Sequence, residues 1–148
     1  MRAPERHDRD ACILAWQTLR LAHDRVSARL GAVLAAECAL AINEFDVLLY
    51  LQAHAGEEVR AGALRDAVAL SQPALSRLVA RLEARGLLAR SPAAADGRAT
   101  VVCLTDAGAA LLARAIPIHA AAVHETLTGK FSAAQRATLL QTLGQIGR

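Results

Sequence analysis

LSQPALSRLVARLEARGLLAR, residues 70–90, is the stretch from which the rest of the chain is read. Ser71 is a good N-cap, since its hydroxyl can accept from the open N–H groups of a first helical turn. Pro73 falls inside that turn, where its missing N–H costs nothing. The helix so predicted runs to about Arg85 and stops at Gly86. Leu75, Leu78, Val79 and Leu82 share one face, which must be core. Gln72, Ala74, Ser76, Arg77 and Arg81 are left on the other, with the polar residues toward the N-terminal half.

Working outward, the tight connection Ala69-Leu70-Ser71 joins this helix to a short one over roughly Gly62 to Val68. Before that, Asn43 reads as the cap of a helix with Asp46 as a weaker capping-box partner. Phe45, Leu48, Leu49 and Gln52 or Ala53 set its face, and Gly56 ends it. After Gly86 the period changes: 87–90 and 99–104 read as two short strands. Turn chemistry lies between them, in Ser91-Pro92 and Asp96-Gly97-Arg98. The order places a helix-turn-helix directly before a β-hairpin. The predicted fold is therefore mainly α with a small β-hairpin wing, a winged helix-turn-helix.

Long helices flank this lobe. From about Asp8 to Leu34, Cys12, Trp16, Leu19, His23, Val26, Leu30 and Val33 recur at alternating spacings of four and three, the seam of a helix packed along a partner. Thr105 caps a second long helix, broken or bent at Pro117, that continues to about Thr128. Ser132-Ala-Ala-Gln135 is a capping box for a last helix carrying Leu139, Leu140, Leu143 and Ile146. The expected organisation of residues 1–148 is a single domain, with the lobe at 43–105 and N- and C-terminal dimerisation helices at 8–42 and 106–148.

Composition narrows the function. In 148 residues, 54% are hydrophobic, 21% charged and only 3% aromatic, which describes a folded domain packed from Leu, Ala and Val. The longest nearly uncharged stretch read from the sequence, 30–42, is too short to span a bilayer. The N-terminus lacks the pattern of a secretory signal, so a cytoplasmic protein without membrane contact is expected. Cys12, Cys38 and Cys103 fit neither a disulfide framework nor a zinc pattern and read as buried free thiols, with a redox sensor as the alternative. His119 and His124 are five apart and share no helical face, so no metal is expected. Nor is a cofactor or an enzymatic activity, since no catalytic grouping of side chains stands out.

Charge points elsewhere. Between Arg60 and Arg98 seven arginines stand against Asp66, Glu83 and Asp96, in a chain of net charge +3. Local arginine excess is what tracking phosphate requires, although charge alone does not separate this from a solvated helix face. The major groove of double-stranded DNA admits one helix, touched by its first turns. The candidate DNA contacts are Ser71, Gln72, Ala74, Ser76, Arg77, Arg81, Arg90, Asp96 and Arg98. Arg77 is suited to guanine, Gln72 to adenine, and Ser76 to base or phosphate, while small Ala74 allows close approach. Arg81 and Arg85 suit phosphate or intramolecular ion pairs. Arg98, at the hairpin tip, is placed for a minor groove, with Asp96 pairing it or Arg90; Asp96-Gly97 equally fits an ordinary turn.

The same 70–90 run, followed by DGRATVVCLTDAG (96–108), resembles the MarR family of multiple-antibiotic-resistance-type regulators. Leu-Glu-x-x-Gly-Leu, a wing with Asp-x-Arg, and Leu-Thr-x-x-Gly occur in that order, and Asn43-Glu-Phe-Asp-Val-Leu resembles the family's second helix. The resemblance implies a homodimer on pseudo-palindromic DNA, acting as a repressor relieved by a small lipophilic or phenolic effector. It matches Gln72, Ser76 and Arg77 to reader positions and Asp96 and Arg98 to the wing pair. One departure is that 91–95 contains no Lys or Arg. The family also suggests a ligand pocket bordered by Trp16, His23, Asp46, Tyr50 and His54, for which core or dimer packing is the competing explanation. Cys12 sits near the position of the reactive cysteine in the family's peroxide-sensing branch. Two alternatives therefore accompany the repressor: a thiol-based redox regulator of the same fold, and a winged-helix protein-interaction module without DNA.

Overall fold

The computed structural model describes residues 6–93 and 100–146, so the wing-tip residues Asp96 and Arg98 lie outside it. The element order is α1 (Arg6–Cys38), α2 (Ile42–Ala53), β1 (Val59–Arg60), α3 (Ala61–Ala67), α4 (Gln72–Ala84), β2 (Leu88–Pro92), β3 (Thr100–Leu104), α5 (Asp106–Thr126), a 3-10 turn (Thr128–Lys130) and α6 (Ala133–Leu143). This is the winged helix-turn-helix layout expected. Cα packing divides it into two compact units, one of residues 1–32 and 120–148, the other of residues 33–119.

The 33–119 unit has its own core. Leu34, Leu40, Phe45, Leu48, Leu64, Leu75, Leu78, Leu82, Leu88 and Leu112 are each under 2% exposed. Burying one such side chain is worth about 1.5–3 kcal/mol, so this cluster is what orients α4. All four residues assigned to its inner face are buried: Leu75, Leu78, Val79 and Leu82. The Ser71 hydroxyl accepts from the Ala74 N–H at 3.4 Å. At the far end Leu87 N–H bonds to Leu82 C=O (3.0 Å) and Gly86 N–H to Glu83 C=O (2.8 Å), a Schellman closure. That closure needs a left-handed residue, and Gly86 supplies it at φ 69°.

The sheet has the order β1-β3-β2 and is antiparallel throughout. Leu88 pairs with Leu104 and Pro92 with Thr100 in the hairpin, while Val59 pairs with Val102. The two-residue β1 was not visible in the sequence, because two residues carry no alternation. Thr105 performs as a cap: its Oγ1 accepts from Gly108 N–H (3.0 Å) and donates to Gly86 C=O (2.7 Å). Gly108 lets the backbones approach closely here, since a Cβ would fall 1.9 Å from the Leu87 carbonyl oxygen and force a shift.

Several expectations need correction. α1 extends to Cys38, beyond Leu34, because Ala39 takes the left-handed conformation (φ 52°) and so ends it. α2 is capped at Ala41, not Asn43, and its box partner is Glu44, whose carboxylate accepts from the Ala41 N–H at 3.0 Å. Its inner face is Glu44, Phe45, Val47, Leu48 and Leu51, whereas Leu49 is 40% exposed. α5 is not broken at Pro117, which lies inside one helix. It is also long and apolar enough by composition to cross a bilayer, a feature Asp106, Arg114 and Glu125 mask in a scan for uncharged runs; its Leu112 and Ala115 are buried in the core. Of the cysteines only Cys38 is buried, because Cys12 and Cys103 point outward from α1 and β3.

The 1–32 and 120–148 unit buries little by itself. Leu30 and Ala122 are buried, and Arg29 pairs with Glu125 at 3.5 Å. Ser132 and Gln135 form the expected capping box, with distances of 2.9 and 3.3 Å. Ile13, Leu14, Trp16, Leu19, Leu21, Leu140, Leu143 and Ile146 remain exposed.

Candidate nucleic-acid interface

α3 and α4 meet at Ala69, a left-handed residue at φ 51°. Val68 N–H bonds to Leu64 C=O (3.1 Å) and Leu70 N–H to Arg65 C=O (3.3 Å), so the corner is closed by the backbone. Leu64 anchors α3 and the inner face of α4 anchors the second helix, which fixes the outer face in space. That face presents Ser71, Gln72, Ser76 and Arg77 to solvent, with Ala74 half-buried between them. Arg77 has no hydrogen bond or ion pair among the described residues.

α4 and the β-hairpin meet at a cleft of about 170 Å³, lined by Gln72, Ser76, Arg90 and Thr100 among others. Arg90 reaches it from β2 and is held by Glu83: its Nε donates to Glu83 Oε2 at 2.8 Å and its Nη2 to the same oxygen. The hydrogen bond from Arg90 lowers the Glu83 carboxyl below its ordinary range, and Glu83 raises the Arg90 guanidinium in return. The partner expected for Arg90 or Arg98 was Asp96, which lies outside the described residues with Arg98. Among the described residues, Arg90 is held by Glu83.

Arginines that look alike in the sequence are thus engaged differently. Arg65 pairs with Asp66 at 2.7 Å. Arg81 Nε donates to Glu44 Oε1 at 3.4 Å, and Arg85 Nη1 to Glu44 Oε2 at 3.2 Å. Arg81, grouped with the reader contacts in the sequence, is therefore tied to a buried carboxylate on α2. Glu44 was missed. The signal for it was spacing: it stands four residues before Leu48 and seven before Leu51, on the face that is buried.

The suggested pocket residues are distributed. Trp16 and His23 belong to the first unit, Asp46, Tyr50 and His54 to the second. Trp16 is 64% exposed. His23 borders an apolar cavity of about 320 Å³ with Leu19, Val26, Leu127 and Phe131. Asp46 and Tyr50 share an open groove with Leu49 and Val68. There the Asp46 carboxyl is pushed above its ordinary range by partial desolvation, against the pull of His119. His54 lines another cleft; its ring stacks on Tyr50 at 4.1 Å and its Nδ1 lies 2.8 Å from the Tyr50 carbonyl oxygen. Cys12 is exposed on α1. Among the described residues no group of three or more His, Cys, Asp or Glu is placed to hold a metal ion.

Comparison with known proteins gives the geometry a context. Residues 40–99 match the model of the MarR family. Transcriptional regulator HosA of Escherichia coli O127:H6 is 39% identical over 79 residues, which are 53% of this chain and 58% of HosA, so the match covers under two thirds of that relative. Among solved structures, the transcriptional repressor CouR bound to a 23-mer DNA duplex is similar with a TM-score of 0.79 and 30% identity, over 88% of this chain and 90% of that one. BpsR of Bordetella bronchiseptica, whose DNA binding is regulated by 6-hydroxynicotinic acid, gives a TM-score of 0.80 and 26% identity over 91% and 99%.

Proposed function

The chain belongs to the MarR family of transcriptional regulators, and from that premise we propose that it is a sequence-specific DNA-binding repressor acting as a homodimer. The observation that carries this is the outer face of α4. Gln72, Ser76 and Arg77 stand exposed on a helix whose opposite face is locked into the core, and Arg77 has no partner among the described residues. Arg77 forks onto guanine, Gln72 onto adenine, and Ser71, Ala74 and Ser76 set the approach. Arg90, with the wing pair Asp96 and Arg98, serves the backbone and the adjacent minor groove. Residues 43–105 are the DNA-binding lobe and the flanking helices the dimerisation element. The exposed apolar side chains of α1 and α6 support a second copy as their cover.

The proposal places the protein in the cytoplasm, without catalytic activity, and gives it a small lipophilic or phenolic effector, supported by the regulation named for BpsR. The 320 Å³ apolar cavity beside His23 and the Asp46–Tyr50 groove are the places to look for it. The thiol-sensing alternative has one observation in its favour, the exposure of Cys12. If it is right, Cys12→Ser abolishes release of DNA by organic hydroperoxide.

The test is footprinting on DNA upstream of the protein's own coding region. Two protected half-sites about 34–36 Å apart are expected, lost steeply as salt rises. Binding that ignores both sequence and salt would favour a protein-interaction module instead.

A further inference from the structure

Glu44 is the only buried polar or charged residue among the described residues. Its Oε2 accepts from the Ala41 N–H and from Arg85 Nη1, and its Oε1 from Arg81 Nε. Arg85 also donates through Nη2 to the Ala39 carbonyl at 2.9 Å. One carboxylate thus gathers two guanidiniums from the far end of α4. Arg77, Arg81 and Arg85 follow one another at four-residue spacing, so they form one ridge along the helix. Arg77, at the leading end, has no partner among the described residues, and the two behind it are held.

The partners are unequal in freedom. The Glu44 side chain is 8% exposed, while those of Arg81 and Arg85 are 56% and 36% exposed. A long arginine half in solvent can swing to a phosphate if nothing detains it; a buried carboxylate cannot follow. Phosphate contacts strengthen binding to every sequence alike, whereas base contacts discriminate. Detaining arginines at the phosphate-ready end of a reader helix therefore raises the share of binding that depends on sequence.

We infer that Glu44 is a specificity-determining residue, which withholds Arg81 and Arg85 from the DNA backbone so that Arg77 leads recognition. The inference rests on the DNA-binding reading above.

The experiment compares two duplexes of about 30 base pairs, long enough for two half-sites. One is enriched from a random library by the wild-type protein, and the other is a shuffled sequence of the same composition. Glu44→Gln removes the charge and keeps an acceptor for the Ala41 N–H. Its affinity for the shuffled duplex should rise about three- to tenfold, and the slope of log affinity against log salt should steepen by about 1–2. Discrimination between the duplexes should fall correspondingly. Adding Arg81→Gln and Arg85→Gln should restore the wild-type slope. A folded Glu44→Gln protein with wild-type slope and discrimination would overturn the inference. So would a loss of affinity shared equally by both duplexes, the mark of a merely structural residue. If Glu44→Gln does not fold, Arg81→Gln/Arg85→Gln decides: an unchanged slope supports the inference, and one shallower by about 2 means both arginines already touch phosphate. A wild-type protein indifferent to salt and sequence would overturn the DNA-binding reading and this inference together, whereas normal wild-type binding with an unaltered variant overturns the inference alone.

Discussion

The two compact units dispose of their apolar residues in opposite ways. In the 33–119 unit the large side chains converge on one core, and only Leu49 and Ile116 are exposed among its described large hydrophobics. In the other unit, Trp16 and Leu14 are each 64% exposed and Leu140 75%. A lobe that completes its own core holds its shape alone, while a pair of helical segments with an uncovered apolar surface is finished by association. The difference teaches that rigidity is placed under α4 and that the uncovered apolar surface is concentrated in the 1–32 and 120–148 unit.

The sharpest way to break this comparison is to truncate one leucine in each region. Leu78→Ala, in the core, should cost about 2–5 kcal/mol in urea unfolding at any protein concentration. Leu140→Ala should change the stability of the monomer by no more than about 0.5 kcal/mol, and weaken self-association in sedimentation instead. Equal, concentration-independent losses would erase the distinction. A somewhat smaller effect is expected from Gly108→Ala. The added methyl meets the Leu87 carbonyl at 1.9 Å and Leu104 Cδ1 at 2.8 Å, so the start of α5 must shift away from the hairpin. About 1–3 kcal/mol should be lost in thermal unfolding, and wild-type stability would mean that this approach is not rigid.

The smallest effects are electrostatic, and two carboxyls of the reader lobe should move in opposite directions. Glu83 titrates below its ordinary value of 4.5 because Arg90 hydrogen-bonds to its charged form. Its contribution is complete above that value and disappears as pH falls through the lower, folded one. Glu83→Gln should therefore lower the melting temperature at pH 7 and converge with wild type in acid. Asp46 titrates above its ordinary 3.8 through desolvation, with His119 opposing. Ionised Asp46 burdens the folded state as pH rises through its raised value, so Asp46→Asn should be slightly more stable at pH 7 and no different in acid. Melting curves against pH check both signs.

What was legible in the sequence followed from local chemistry. Ser71, Pro73 and Gly86 mark the ends of α4 because caps and left-handed closures are written in a few adjacent residues. The inner face of α4 followed from helical period. Partners far apart in sequence were not legible. Nothing near Arg81 announces Glu44, 37 residues earlier, and equal arginines in a run give no sign of which are engaged. Asn43 looked like a cap because residue type was read alone, whereas the box closes two residues earlier, between Glu44 and the Ala41 N–H, and β1 was too short to carry a pattern. The grouping of Trp16 and His23 with Asp46, Tyr50 and His54 rested on resemblance alone, and the two sets fall in different units.

The most direct measurement is a base-by-base preference profile of wild type and Arg77→Ala, taken on duplexes differing at single positions. If the exposed face of α4 reads DNA, the variant should remain folded, lose about 1–3 kcal/mol of affinity and show flattened preference at one symmetric pair of positions. A profile unchanged in height and shape would contradict it.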